Sequence, residues 1–217
     1  MLPITVKPEL GLVKGNRVIF FGTGKFLGTS DKTDSQRQTL YAIKDDLAAN
    51  TAVTDRTPLV QQTLTTLTGG LTRAGSSNTV NWTSPSVRGW FIDLPDGGSG
   101  TPASPTERVS VDPQLQLGTL VISSNVPSSD SCTAGGFSWI NFLNFETGGF
   151  IQGADNNVVS TKISSSLVVG LNIVQLPGGV VKTIVTTADN QQLSQDTPVG
   201  PSTFQGRRVG WRELVAD

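Results

Sequence analysis

The residues able to do chemistry are few. Gly22-Thr23-Gly24-Lys25-Phe26-Leu27-Gly28 follows an apolar run and superficially resembles a phosphate-binding turn. A phosphate loop needs G-x-x-x-x-G-K-[ST], and a dinucleotide fingerprint needs G-x-G-x-x-G opening a helix. Neither spacing is met, and Thr29-Ser30-Asp31-Lys32 has no helical pattern, so these glycines predict a turn after a strand. Asp31 and Asp34 on one polar loop, and Asp155-Asn156-Asn157 on another, carry the oxygens that calcium takes. They lack the alternating D-x-[DN]-x-[DN]-G run with its later Glu, and Asx residues in turns more often bond their own backbone. Cys132 is the single cysteine, and the chain has no His to activate it. A nucleophilic thiol needs such a partner or another group that lowers its pKa. Cys132 is therefore expected to be inert, or half of a disulfide whose partner lies outside this chain. Asp45 and Asp46 are adjacent and point apart in an extended segment, so they form no acid–base pair. Asn81-Trp82-Thr83 matches N-x-[ST], too short a motif to carry a conclusion alone. Trp82, Trp90, Trp139 and Trp211 are expected to pack between sheets, with a sugar-binding platform as the alternative. No catalytic, cofactor-binding or metal residue is assigned.

Composition narrows the functional classes further. The chain has 217 residues, with 17 Asp+Glu against 16 Lys+Arg and a net charge of -1. Phosphate binding needs a surplus of Lys/Arg on one face, so nucleic acid is not an expected partner. Charged residues make up 15%, below the usual ~25%, and Ser, Thr, Asn, Gln and Gly fill the gap. That is the make-up of a β-rich, extracytoplasmic protein. A chain of this size buries roughly 70% of its unfolded surface. No run of about 18 apolar residues encodes a transmembrane helix. The opening Met1-Leu2-Pro3-Ile4-Thr5-Val6-Lys7 lacks the basic and apolar regions of a signal peptide. Export is expected to depend on sequence outside this chain, and the chain is expected to be a fragment of a longer protein.

The elements that must hold these residues read as short strands separated by Gly, Pro, Asn, Asp and Ser. Strands are predicted at Ile4–Val6, Arg17–Phe21, Thr39–Lys44, Leu59–Leu64, Gly89–Asp93, Arg108–Val111 and Gly118–Ile122. Further strands are predicted at Ser138–Phe145, Ser166–Leu171, Val180–Thr186 and Arg207–Leu214. Alternation puts Trp90 and Ile92 on one face and Phe91 and Asp93 on the other. Ile19, Phe21, Leu40, Ala42, Leu120, Ile122, Trp139, Ile140 and Phe142 are expected to be buried with Trp90 and Ile92. The best helix candidate, Lys44–Ala49, holds a turn or two, and helices that short are marginal without packing.

One unit occurs twice. Val18–Thr23, a polar insertion and Leu40–Asp45 make a strand–loop–strand. Leu120–Asn125, an insertion and Ile140–Phe145, followed by Glu146-Thr147-Gly148, repeat it about 100 residues later. Repeated units of this kind build propellers, whose blades are four-stranded antiparallel sheets of ~40–50 residues. With insertions such as Gly97–Pro105 the chain would supply about three blades. An ordinary sandwich with two similar hairpins satisfies the same pattern.

Several ordered motifs resemble the C-terminal domain of the PilC/PilY family of type IV pilus tip-associated adhesins. They are Pro3–Pro8, Val18–Leu27, Leu40–Ile43, Arg88–Leu94, Glu107-Arg108-Val109, Leu117–Val121, Cys132–Trp139 and Gly206–Leu214. The resemblance spans almost the whole chain and favours the propeller. It implies an all-β, partial, quinoprotein-like β-propeller of roughly three blades with long loop insertions, residues 1–217 being the C-terminal portion of that domain. It implies no enzyme, but a segment that supports pilus biogenesis by opposing retraction and contributes to surface adhesion. The implied location is extracytoplasmic, at the pilus tip or outer cell surface. The implied partners are the remaining blades of a longer chain, minor pilins at the pilus tip, and a host or abiotic surface. The family's calcium loop, spaced D-x-D-x-D-x-x-x-D, is absent here, so calcium is expected in a full-length member and no cofactor in this segment. A lectin-like propeller, or a fragment of a quinoprotein-type propeller enzyme, is the alternative. A chain of about three blades is further expected to leave the outer faces of its terminal sheets without partners.

Overall fold

The computed structural model describes residues 2–47, 53–95, 106–128, 135–163 and 166–200. Among them the chain is all-β, in three sheets, with two short 3-10 turns at Thr29–Thr33 and Asp155–Asn157. The first sheet holds β1 (Glu9–Val13), β2 (Asn16–Gly22), β3 (Thr39–Asp45), β7 (Gly89–Asp93) and β4 (Leu59–Gln62), in that order. The second runs β5 (Leu64–Thr66), β6 (Thr72–Gly75), β11 (Val158–Ile163), β10 (Gly136–Asn144), β9 (Thr119–Pro127) and β8 (Gln114–Gln116). The third is β12 (Val168–Gln175), β13 (Val181–Thr187) and β14 (Gln192–Asp196). Among these described strands every pairing is antiparallel except β4 with β7. The two halves of the repeated unit are the hairpin pairs β2–β3 and β9–β10.

The sheets stack in layers, as partial propeller blades do. Val18, Phe20, Leu40, Ala42, Trp90 and Ile92 of the first sheet meet Leu120, Ile122, Leu143 and Val159 of the second in one core. The opposite face of the second sheet presents Val121, Ile140, Phe142 and Ile163 to Val168 and Val185 of the third. The middle sheet is thus apolar on both faces. Its β9 therefore reads Leu120-Val121-Ile122 without alternation, as a doubly covered strand should.

The expected core holds except in β2. Ile19 and Phe21 are half-buried, whereas Val18 and Phe20 are at most 1% exposed. Cross-strand partners share a face, and Phe20 pairs with Ala42 and Gly22 with Leu40. Once Leu40 and Ala42 face inward, Val18 and Phe20 must also. Four consecutive apolar residues, Val18 to Phe21, gave no alternation to fix the register.

Other strand expectations are corrected. Ile4–Val6 supplies only a bridge from Ile4 to Gly24, and Arg108–Val111 only a bridge from Arg108 to Asn125. Leu59–Leu64 divides at Thr63, where the chain leaves the first sheet as β4 and enters the second as β5. Lys44 and Asp45 belong to β3 and Asp46 and Leu47 to no helix, while Ala48 and Ala49 lie outside the described residues. So do Gly97–Pro105 and Arg207–Leu214. Strands β6, β8 and β14 carry too few apolar residues to have been legible, while β1 (ELGLV) and β11 (VVSTKI) carried enough and were missed.

Candidate functional site

The most chemically loaded segment is Thr106-Glu107-Arg108-Val109, each residue at most 1% exposed. It threads between the first two sheets. The Thr106 amide donates to Asp34 O (3.2 Å) and the Val109 amide to Thr23 O (3.1 Å). Arg108 and Asn125 exchange both backbone bonds, at 2.9 and 2.7 Å. Extended backbone sends successive side chains to opposite sides, and here that separates two charges.

Glu107 points towards the second sheet. Arg73 of β6 grips it with two parallel bonds, Nη1 to Oε1 and Nη2 to Oε2, both 2.9 Å. Ser124 Oγ donates to Oε1 at 2.5 Å. The Arg73 guanidinium lies 3.8 Å from the Trp139 ring centroid. Asn141 Nδ2 donates to Ser124 Oγ, and Ser160 Oγ to Asn141 Oδ1, so the network crosses β6, β11, β10 and β9. A carboxylate held this way and wholly buried has no route to a substrate proton. The cluster acts as a joint between sheets.

Arg108 points the other way, into the Lys25–Asp34 loop. Its guanidinium donates to the carbonyls of Thr106, Lys25 and Asp34, each at 3.0 Å, and to that of Asp31. Burial pulls its pKa below the usual guanidinium value, against the opposing pull of Asp34 and Asp31. The Asp31 carboxylate accepts from the amides of Leu27 (2.8 Å) and Gly28 (3.0 Å) and pairs with Lys25 at 3.0 Å. The Leu27 amide bond first, then Lys25, hold its pKa below the ordinary carboxylate value. Convergent carbonyls beside a carboxylate are what calcium takes, but here the chain's own guanidinium and ammonium fill those roles. The residues of this loop do not fit a calcium ion. Asp155-Asn156-Asn157 forms an exposed turn with Asn156 and Asn157 at positive φ. Among the described residues no group of three or more His, Cys, Asp or Glu is placed to hold a metal.

The Gly22-Thr23-Gly24 turn has a steric reason that the sequence did not reveal. A Cβ on Gly22 would sit 2.3 Å from Val109 Cγ2, and one on Gly24, whose φ is +143°, 2.6 Å from Arg108 Cβ. The glycines admit the Thr106–Val109 segment rather than a phosphate.

Trp82, Trp90 and Trp139 are at most 3% exposed, which excludes them from a sugar platform. Trp90 Nε1 donates to Phe145 O and Trp82 Nε1 to Glu146 O, so both rings are pinned to the loop after β10. Trp211 and Cys132 lie outside the described residues. Asn81 accepts from the amide and hydroxyl of Thr83 in a turn. Asp45 is in β3, and Asp46 pairs with Arg88.

The open polar chemistry sits elsewhere, on the outer face of the first sheet. Arg56 Nη1 bonds both Asp93 oxygens at 3.0 and 3.1 Å, Nη2 donates to Thr39 Oγ1, and Nε to Tyr41 Oη. Its guanidinium lies 4.7 Å above Phe91 and 5.7 Å from Tyr41. Partial burial lowers its pKa, but Tyr41 and Asp93 outweigh that and leave it raised. Sequence reasoning missed Arg73 and Arg56 as paired residues. Their partners lie 34 and 37 positions away, beyond any local pattern.

A groove of about 1020 Å³ runs where β1, β8 and β12 lie side by side, lined in part by Leu10, Leu12, Leu115 and Ile173. It has one acid, Asp45, and one base, Arg17, and no nucleophile set for catalysis.

Comparison with known proteins finds two similar chains, each named "Type IV pilus biogenesis factor PilY1 homolog", from Xylella fastidiosa (strain Temecula1 / ATCC 700964). One is 28% identical over 159 residues, 71% of this chain and 10% of that protein. The other is 26% identical over 229 aligned positions, 98% of this chain and 18% of that protein. The chain is thus a distant relative of the PilY1 homologues and spans less than a fifth of the length of either. No family model and no solved structure matches. The relatives' names are those of a pilus biogenesis factor, not of an enzyme. Among the described residues no helix is long and apolar enough to cross a membrane.

Proposed function

We propose that residues 1–217 are the C-terminal portion of a PilC/PilY-type β-propeller and act without catalysis in type IV pilus biogenesis. In this role the segment opposes pilus retraction and contributes to surface adhesion, from an extracytoplasmic position at the pilus tip or outer cell surface. The observation that carries this is the similarity, across 98% of the chain, to a protein named a pilus biogenesis factor. The site chemistry supports the non-enzymatic part. The buried acid Glu107 is consumed in a joint with Arg73, and the groove beside β1 offers no nucleophile–base pair. The partners in this reading are minor pilins, a host or abiotic surface, and the remaining blades of a longer chain. We assign no cofactor to these residues.

The test is deletion of the coding region for these residues from its host, with surface pili counted in two backgrounds. Loss of pili that is restored by removing the retraction motor is the expected result, and it isolates opposition to retraction from assembly. Unchanged piliation and unchanged surface attachment together overturn the proposal.

A further inference from the structure

The first sheet has two apolar faces, of which the described residues cover one, leaving the other open apart from Thr39 and Phe91 under Arg56. The inward face packs on the second sheet. The outward face is ordered in four cross-strand rows by the registers of β1, β2, β3, β7 and β4. At one end Leu12, Arg17 and Asp45 lie abreast. Next come Leu10, Ile19 and Ile43, then the aromatic row of Phe21, Tyr41 and Phe91. At the far end Thr39 and Asp93 stand abreast, with Arg56 clamped across them. Phe21 and Tyr41 stack at 5.3 Å between centroids. The two middle rows are apolar and the two outer rows are charged, the anatomy of a protein interface with a dry centre and a polar rim. Leu10 is 69% exposed and Leu12 59% exposed, and Ile19, Phe21, Tyr41 and Ile43 are only half-buried.

We infer that this outward face is the seat of a further β-sheet belonging to the same polypeptide. This rests on the proposal that the chain is part of a longer propeller protein, and names the surface through which it joins the rest. Two observations choose this occupant. The layer-on-layer packing of the first sheet on the second, and of the second on the third, continues across this face without a change of chemistry. The relatives that the chain matches are also five to ten times its matched length, so polypeptide outside the matched region is available to supply the sheet. The third sheet's outward side is different. There Ile184 and Val174 are the apolar residues, set among Lys182 paired with Asp196, Asn172, Ser194 and Thr186 beside Gln192, with no aromatic row, and β14 is exposed along most of its length. The stack is therefore directional, with its apolar open end at the first sheet. The incoming sheet is expected to present aliphatic residues to Leu10, Ile19 and Ile43, aromatic or flat residues to Phe21 and Tyr41, and opposite charges to the two rims.

The test uses the full-length polypeptide as it is made in its host, with Cys132→Ser as background. Leu10→Cys and Phe21→Cys report on the face, and Leu27→Cys, at a loop position 78% exposed, reports on open surface. Because Leu10 is already exposed in this chain, its substitution leaves the fold intact even where that of Phe21 does not. A covered face makes maleimide labelling at Leu10→Cys at least ~10-fold slower than at Leu27→Cys, since reaction then waits on local opening. A photo-cross-linking residue placed at Tyr41 identifies the cover. An intramolecular product with a residue outside 1–217 is the expected result. Labelling at Leu10→Cys as fast as at Leu27→Cys overturns the inference. So does a cross-link to a second copy, to residues 201–217 or to another protein. Pilus counts are not read in this experiment, so it fails or succeeds separately from the pilus role.

Discussion

Removing one partner of the Arg73–Glu107 pair should be among the most damaging single changes in the molecule. Both side chains are 0% exposed, with two bonds of 2.9 Å between them and a third from Ser124 at 2.5 Å. Glu107→Leu takes both carboxylate bonds from a guanidinium that stays buried against Trp139, and Arg73→Met takes two charge-assisted bonds from a carboxylate that stays buried beside Ser124. Breaking a buried pair from one side costs about 3–5 kcal/mol. For a chain of this size each kcal/mol lowers the melting temperature by about 2–4 °C, so a drop of roughly 6–20 °C follows. The double variant is the sharper measurement. With both charges gone, the desolvation cost goes too, and a packed apolar replacement is often neutral or better. The Arg73→Met/Glu107→Leu protein should therefore unfold closer to the native midpoint than either single variant. Urea titrations followed by circular dichroism give the coupling directly. Single variants within about 1 kcal/mol of native, or a double variant whose cost is the sum of the singles, would refute the assignment of this pair as the joint between sheets.

Three further outcomes follow from the same geometry. Gly22→Ala should destabilise by about 1–3 kcal/mol through overpacking against Val109, and Val109→Ala in the same chain should recover part of the loss; equal midpoints for the two would contradict the close approach. In the register found for β2, Phe20→Ala should cost about 3–5 kcal/mol while Ile19→Thr in this chain costs about 1 kcal/mol or less, and a reversed order in urea midpoints would restore the opposite register. Asp31, whose pKa is lowered on folding, binds fewer protons folded than unfolded, so its contribution is present above its ordinary value of 3.8 and lost as pH falls through the lowered one; Asp31→Asn should flatten that acid limb of the stability curve, and an unchanged limb would remove the carboxylate from the loop's support.

The legible part of the fold was the part written in apolar residues. Gly89–Asp93 stands as a strand with the predicted bounds because its faces alternate between Trp90 with Ile92 and Phe91 with Asp93. The β9–β10 hairpin was visible instead through unbroken apolar runs, Leu120-Val121-Ile122 and Phe142-Leu143, covered on both faces. Strands such as Gln114–Gln116 and Gln192–Asp196 were invisible because they are edge strands, formed by pairing with one neighbour and carrying little apolar area of their own. The site divides likewise. Glu107-Arg108-Val109 stood out as a motif, yet its use depended on Arg73, Asp31 and Gly22, all distant along the chain.

The same geometry accounts for the unusual composition. The sheets meet through apolar cores, but what locks one sheet against the next is polar. Asn125 donates to Val168 O and accepts from Ser138 Oγ, and the Val168 amide donates back to Asn125 Oδ1, tying β12 to the middle sheet. Gln114 does this at the other margin, donating to Leu171 O and accepting from the Ile173 amide like a strand neighbour. Gln62, 1% exposed, reaches the carbonyls of Asn78 and Thr147. A neutral amide offers both a donor and an acceptor without the desolvation cost of a charge, so it can stand in for missing backbone partners where layers meet. Asn, Gln, Ser and Thr therefore occupy buried positions that Lys and Glu could not, and charge falls to 15% of the chain. The exceptions, Glu107 with Arg73 and Arg108 with the Lys25–Asp34 carbonyls, are held by several charge-assisted bonds each and converge on one short segment. Thr106–Val109 thus fixes a loop of the first sheet and a strand of the second at once.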